Sequence, residues 1–267
     1  MSVKFENNTF KKRIKTMLGV DFRRMFTSPL YYIMVGVSLV IPILILVMTS
    51  MMEGSVSVDP QTGKETVMEG FKNVWQIIGA VSGGEQAMSM DLTSMCNINM
   101  MFFLISVFVC IFIADDFRSG YAKNLFTVRA KKDDYVISKI LACIFAGVSM
   151  LIAFFIGSMI GGAIANLPFA LEGVTVGNII MCMLSKLLLV GIFASIYVLA
   201  SVVAKQRLWL SLILSFAIGM LMFTMIPIIT PLNSGILNVV LCLAGSAIFS
   251  AGIGIGSYFV LKKTSLV

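Results

Sequence analysis

Residues 30–51 read LYYIMVGVSLVIPILILVMTSM, an uncharged run of 22 residues. At 1.5 Å per residue a helix of that length covers about 33 Å, enough to cross the hydrocarbon core of a bilayer. Five further apolar runs follow, at about 97–114, 140–165, 177–204, 208–230 and 236–261. The runs are apolar on every side and do not alternate, which excludes a membrane barrel. An open sheet would leave backbone groups unpaired in lipid. The fold class expected is therefore an all-α membrane protein with six transmembrane helices. Composition agrees: 12% of residues are charged and 58% hydrophobic, where a soluble domain carries roughly 25% charged residues.

Charge sets the orientation. Seven Lys and Arg precede Pro29, six lie within 115–139, two within 205–207 and two in the tail. The alternate connections hold only Lys64 and Lys72, and one further lysine, Lys186, falls inside a run. Seventeen against two is a strong positive-inside bias, and an even number of spans puts both basic ends on one side. Both termini are expected in the cytoplasm of a multi-pass protein of the (bacterial) cell membrane. The net charge of +7 sits between apolar runs, so anionic lipid rather than nucleic acid is the expected counterpart. Residues 1–29 hold no continuous apolar stretch of the signal-peptide kind, and the first run is expected to serve as an uncleaved anchor.

The chain divides into a cytoplasmic segment 1–29, an outer connection 52–96, a cytoplasmic connection 115–139 and the spans of a transmembrane domain over 30–267. Phe10, Ile14, Met17, Leu18 and Met25 share a helical face, with Lys11, Lys12, Lys15 and Arg23 elsewhere. That pattern predicts an interfacial helix, with a loosely held basic tail as the alternative. Pro29 marks the break before the first span. In the outer connection, Phe71, Val74, Trp75 and Ile78 recur at i, i+3, i+4 and i+7 and predict a short amphipathic helix ended by Gly83–Gly84. Such a helix either lids a cavity or rests in the headgroups.

Several chemistries are excluded or unsupported. Histidine is absent, which removes the commonest general base and metal ligand. The five cysteines (Cys96, Cys110, Cys143, Cys182, Cys242) include no C-x-x-C pair, so neither a zinc site nor a disulfide framework is expected. The nearest approach to a phosphate loop, Gly63-Lys64-Glu65, lacks the preceding glycine. No catalytic residue, metal or cofactor is expected in this chain.

The cytoplasmic connection reads DDFRSGYAKNLFTVRAKKDDYVISK over 115–139. Phe117, Tyr121, Leu125 and Val128 are spaced as one helical face, flanked by Arg118 and Lys123. Asp133 or Asp134 is placed to cap the helix that leads into the third span. A helix with an apolar face held between two spans can dock in a groove of a soluble partner or lie against lipid. Asp116-Phe117-Arg118-Ser119-Gly120, Lys123-Asn124-Leu125, Lys132 and Ser138-Lys139 resemble the signature of exporter-type ABC transporter permeases. These are the second exporter type, to which the sterol and drug half-transporters are similar. Pro29, the six-span count and Pro227 and Pro231 near the end of the fifth span fit the same resemblance. The resemblance implies a coupling helix that sits on an ATPase, with Asp116, Phe117, Arg118, Gly120, Tyr121, Lys123, Leu125 and Lys132 as the coupling residues. It also implies export, a cytoplasmic ABC ATPase present in two copies that binds ATP and magnesium, and a homodimer or heterodimer of permeases. Two positions depart from the pattern: Lys132 stands where arginine is commoner, and the family usually lacks a charge matching Lys186.

Lys186 lies about ten residues into the fourth span. One reading has it lining a translocation path and attracting an anionic group; the other has its long stem snorkelling to the outer headgroups. Gly157 and Gly161 form G-x-x-x-G in the third span, for packing within one subunit or at a dimer seam. Scarce intramembrane carboxylates favour an amphipathic peptide, antibiotic or lipid-like cargo. The rival readings are a non-transporting sensor or immunity protein and an ion-coupled secondary carrier.

Overall fold

The structure, a computed structural model, describes residues 10–58, 65–67, 70–81, 96–127, 132–170, 173–205 and 207–263. Nine helices occur among these residues: α1 Phe10–Thr27, α2 Pro29–Met52, α3 Met101–Arg118, α4 Tyr121–Thr127, α5 Lys132–Ile164, α6 Val176–Ala204, α7 Leu208–Phe223, α8 Met225–Ile229 and α9 Ile236–Lys263. An antiparallel hairpin of two three-residue strands, β1 Val56–Val58 and β2 Glu65–Val67, pairs Val56 with Val67 and is the one departure from an all-helical fold among the described residues. Five helices are long and apolar enough to cross a membrane: α2, α3, α5, α6 and α9. The sixth apolar helix, α7, has 16 residues, about 24 Å, and falls short of a hydrocarbon core by itself. Pro227 accounts for its end. The proline ring displaces the carbonyl four residues earlier, at Phe223, where α7 stops.

Helix α6 is the hub. It packs against α9, α3, α5 and α7, and 78% of its apolar window is buried, against 6% for α9 at the rim. The second tight pair is α2 with α5. Glycines make that approach possible. A Cβ at Gly157 would collide with the Leu39 carbonyl oxygen, and one at Gly161 would lie 2.8 Å from Ile43 Cα. The G-x-x-x-G of α5 therefore packs inside the subunit, against α2, in the way small residues permit in membrane bundles. Ser28 separates α1 from α2 in an extended conformation, and Pro29 occupies the first turn, where its missing N–H costs nothing.

Two local expectations are corrected. Residues 71–78 do not form an amphipathic helix on a membrane surface. They make a single turn, Val74–Ile77, with Phe71, Val74, Ile77 and Ile78 buried in protein. Asn73 accepts from the Trp75 N–H and donates to the Ala170 carbonyl at 2.7 Å, while Trp75 Nε1 donates to the Phe169 carbonyl at 2.6 Å. These bonds fasten the segment as a cap over the α5–α6 connection. Gly83–Gly84 lies outside the described residues. Helix α5 begins at Lys132, so Asp133 and Asp134 stand inside its first turn and not at the cap. There they still favour the helix dipole, and Asp134 accepts from Arg13 Nε at 2.8 Å, tying α1 to α5. That bond is what holds the Arg13 guanidinium above its ordinary value.

Candidate functional site: a buried charge cluster beneath a short helix

The apolar stripe of α1 contains one acid. Met17, Asp21 and Met25 follow one another at four-residue intervals and are all buried. On α5 the inward stripe likewise carries Tyr135, Ser138 and Lys139 among alanines and Cys143. At the end of α3 it carries Asp116. The fold brings these three stripes together. Lys139 Nζ sits 2.7 Å from Asp21 Oδ1 and 2.7 Å from Asp116 Oδ2, all three side chains fully buried. Arg24 Nη1 donates to Asp116 Oδ1 at 2.5 Å, Tyr135 Oη donates to Asp116 Oδ2 at 2.8 Å, and Ser138 Oγ donates to Asp21 Oδ2 at 2.5 Å. Two cations and two carboxylates balance, so the desolvation of each charge is offset by its partners. Burial works against the charge of Arg24, but Asp116 outweighs it and holds the guanidinium above its ordinary value.

Aromatic rings close the cluster. Arg24 lies 4.1 Å from the Tyr121 ring centre and Lys139 Nζ lies 4.2 Å from that of Phe112, both within cation–π range. Tyr121 thus roots α4 onto the cluster. Burial, reinforced by the Asp21 carboxylate, pushes its phenol upward, so it stays neutral at physiological pH.

The expected single helix face Phe117–Tyr121–Leu125–Val128 is corrected. Phe117 belongs to α3, which ends at Arg118 with Ser119 as its cap, and Gly120 turns the chain with φ +74, a left-handed conformation suited to glycine, before α4 starts. Val128 lies outside the described residues. Of the residues read as coupling residues, Asp116 and Phe117 are buried, Tyr121 and Leu125 are half-buried, and Arg118 and Lys123 are exposed. Lys132 points elsewhere: its Nζ donates to the Leu261 carbonyl at 2.7 Å, at the C-terminal end of α9. Lys186 belongs to the opposite end of the bundle. Asp21, Arg24 and Lys139 were not read as site residues. The signal for Asp21 was present, an acid at a stripe position of an otherwise basic helix. Among the described residues no group of three His, Cys, Asp or Glu side chains is placed to hold a metal ion.

A bundle of long apolar helices, with a short helix held by Tyr121 against a buried ion-pair cluster at one end, is the architecture of a multi-pass membrane protein. The profile of the ABC-2 family transporter protein matches residues 20–222, from within α1 to the last turn of α7. The chain belongs to that family, whose permeases are membrane components of transporters and work with an ATPase subunit. No curated protein and no solved structure matches the chain.

Proposed function

We propose that the chain is the permease subunit of an ATP-driven exporter in a bacterial cell membrane, with both termini in the cytoplasm. Helices α7 and α8 together form the fifth span and bring the total to six: Leu208 to Ile229 is long enough to cross once the break at Thr224 is included. Two such subunits, identical or similar, enclose the translocation path. Two copies of a cytoplasmic ABC ATPase bind ATP and magnesium and dock on α4 and the exposed Arg118 and Lys123. Helix α1 lies along the cytoplasmic interface beside them.

The observation that carries this reading is the anchoring of α4. A free seven-residue helix does not persist in water, yet this one is rooted through Tyr121 and Ala122 on a cluster that joins α1, α3 and α5. A push on α4 is transmitted to two spans and the interfacial helix as one body, which suits a rigid-body switch between inward and outward openings. A sensor or a secondary carrier has no need of such a root. Lys186 lies on the path at its outer end, and the cargo is an amphipathic peptide, antibiotic or lipid-like molecule.

The test is co-purification. A tagged full chain should bring an ATP-hydrolysing partner out of native membranes, and Arg118→Glu with Lys123→Glu should release it without loss of the helical fold, since both side chains are exposed. Retention of the partner by the double variant sinks the docking assignment.

A further inference from the structure

The other end of the bundle buries a further cation, Lys186, and this one forms no ion pair among the described residues. Lys186, in the third turn of α6, places Nζ 2.8 Å from Asn99 Oδ1 and 2.9 Å from Thr230 Oγ1. All three side chains are fully buried. No carboxylate makes an ion pair with Lys186 among the described residues, in contrast to the paired Lys139. An ammonium has three donors; two are used on neutral oxygens and the third is spare. Asn99 Nδ2, on the same amide that receives Lys186, is buried with no acceptor. Thr230 Oγ1 has spent its own proton on the Ile226 carbonyl. The site is thus rich in donors and lacks a negatively charged acceptor.

Its position also matters. Asn99 leads into the outer end of α3, seventeen residues and about 25 Å from Asp116 along the helix. Thr230 follows α8 directly. The outer cap rests on this segment: the Leu232 N–H donates to the Ala80 carbonyl at 2.8 Å, and a Cβ at Gly79 would lie 3.8 Å from the Thr230 carbonyl oxygen. Parting the cap from residues 230–232 is the short way to uncover Lys186.

We propose that Lys186 and the Asn99 amide form the receptor for the anionic group, a carboxylate or phosphate, of an amphipathic cargo. This deepens, and rests on, the permease reading: the cargo class becomes anionic amphiphiles, held beneath the outer cap. Lys186 and Asn99 Nδ2 donate to the anion, and the apolar tail follows the surrounding spans. A bilayer lipid headgroup and a free amphiphile present the same chemistry.

The experiment is equilibrium binding of radiolabelled laurate and dodecyl phosphate to the full chain in phosphatidylcholine nanodiscs, with labelled lauryl alcohol as the neutral reference. Both anions should bind the wild type more tightly than the alcohol. Lys186→Met and Asn99→Asp should each weaken anion binding about tenfold or more, the worth of a hydrogen bond to a charged group, and leave the alcohol unaffected. Asn99→Asp is the decisive variant. It is nearly isosteric and gives Lys186 an internal carboxylate, so it should fill the site while keeping the thermal midpoint at or above that of the wild type; it decides the matter even if Lys186→Met fails to fold. Competition by phosphatidylglycerol in the disc assigns the site to a lipid headgroup, and its absence to a free amphiphile. Laurate binding to folded Asn99→Asp with wild-type affinity, or no preference for anions over the alcohol in the wild type, overturns the proposal. The assay uses the chain without an ATPase, so its outcome and that of the co-purification are separate.

Discussion

Replacing Lys139 by methionine should destabilise the α4 end of the bundle by about 3–5 kcal/mol, the usual cost of removing one partner from a buried ion pair. The structure shows why the cost is at the upper scale for a single side chain. Lys139 touches two fully buried carboxylates at 2.7 Å each. Without it, Asp116 keeps Arg24 and Tyr135, but Asp21 keeps only the Ser138 hydroxyl. The cluster changes from neutral to one net negative charge out of water. Methionine fills the volume, so the loss is electrostatic rather than a cavity effect. Pairing the change with Asp21→Asn removes the stranded charge and should recover more than half of the loss, a coupling energy well beyond the few tenths expected of independent sites. The assay is reversible unfolding in bicelles for the wild type, both single variants and the double variant, with trypsin cleavage at Lys11–Arg24 reporting whether α1 stays docked. Lys139→Met within about 0.5 kcal/mol of the wild type, or additive single effects, would refute the account of the cluster.

Other outcomes follow from individual contacts. Gly157→Leu should block the α2–α5 approach and cost about 3 kcal/mol or more, because the collision is with backbone; equilibrium unfolding checks it, and Gly252→Leu, where nothing lies within 4 Å, is the control. Trp75→Phe removes the bond to the Phe169 carbonyl and should cost about 1 kcal/mol while speeding amide exchange at 73–78. Lys132→Met frees the Leu261 carbonyl and removes the contact with the Phe126 ring of α4, so amides near the end of α9 should exchange faster.

Much of the helical framework was legible because a bilayer accepts few solutions. Length and apolarity located α2, α5, α6 and α9 within a few residues at their inner and outer limits, apart from the early start of α5. The spacing of Met17 and Met25 located α1, and Pro29 its end. The cap formed by residues 71–78 was not legible. The i, i+3, i+4, i+7 pattern at Phe71–Ile78 is that of a helix, but the segment is a single turn, bonded to Phe169 and Ala170 of the α5–α6 connection and packed on Gly162 of α5. The charge cluster was missed for a different reason. Its members stand at 21, 24, 116 and 139, and each was counted with or beside the loop charges that set orientation. Lys139 is one of the seventeen cytoplasmic cations by count, yet it is fully buried. Only the fold distinguishes a cation that faces lipid headgroups from one that is enclosed. Within the signature, Asp116 is buried in the cluster at the end of α3, while Arg118 and Lys123 are exposed.

In the proposed exporter an ATPase sits on α4. A photo-crosslinking amino acid at position 123, activated in native membranes, tests it most directly, with the exposed Ile164 at the other end of α5 as control. An adduct with a nucleotide-binding protein at 123 and none at 164 is the predicted result; no ATPase adduct at 123, or the same adduct at both positions, contradicts it.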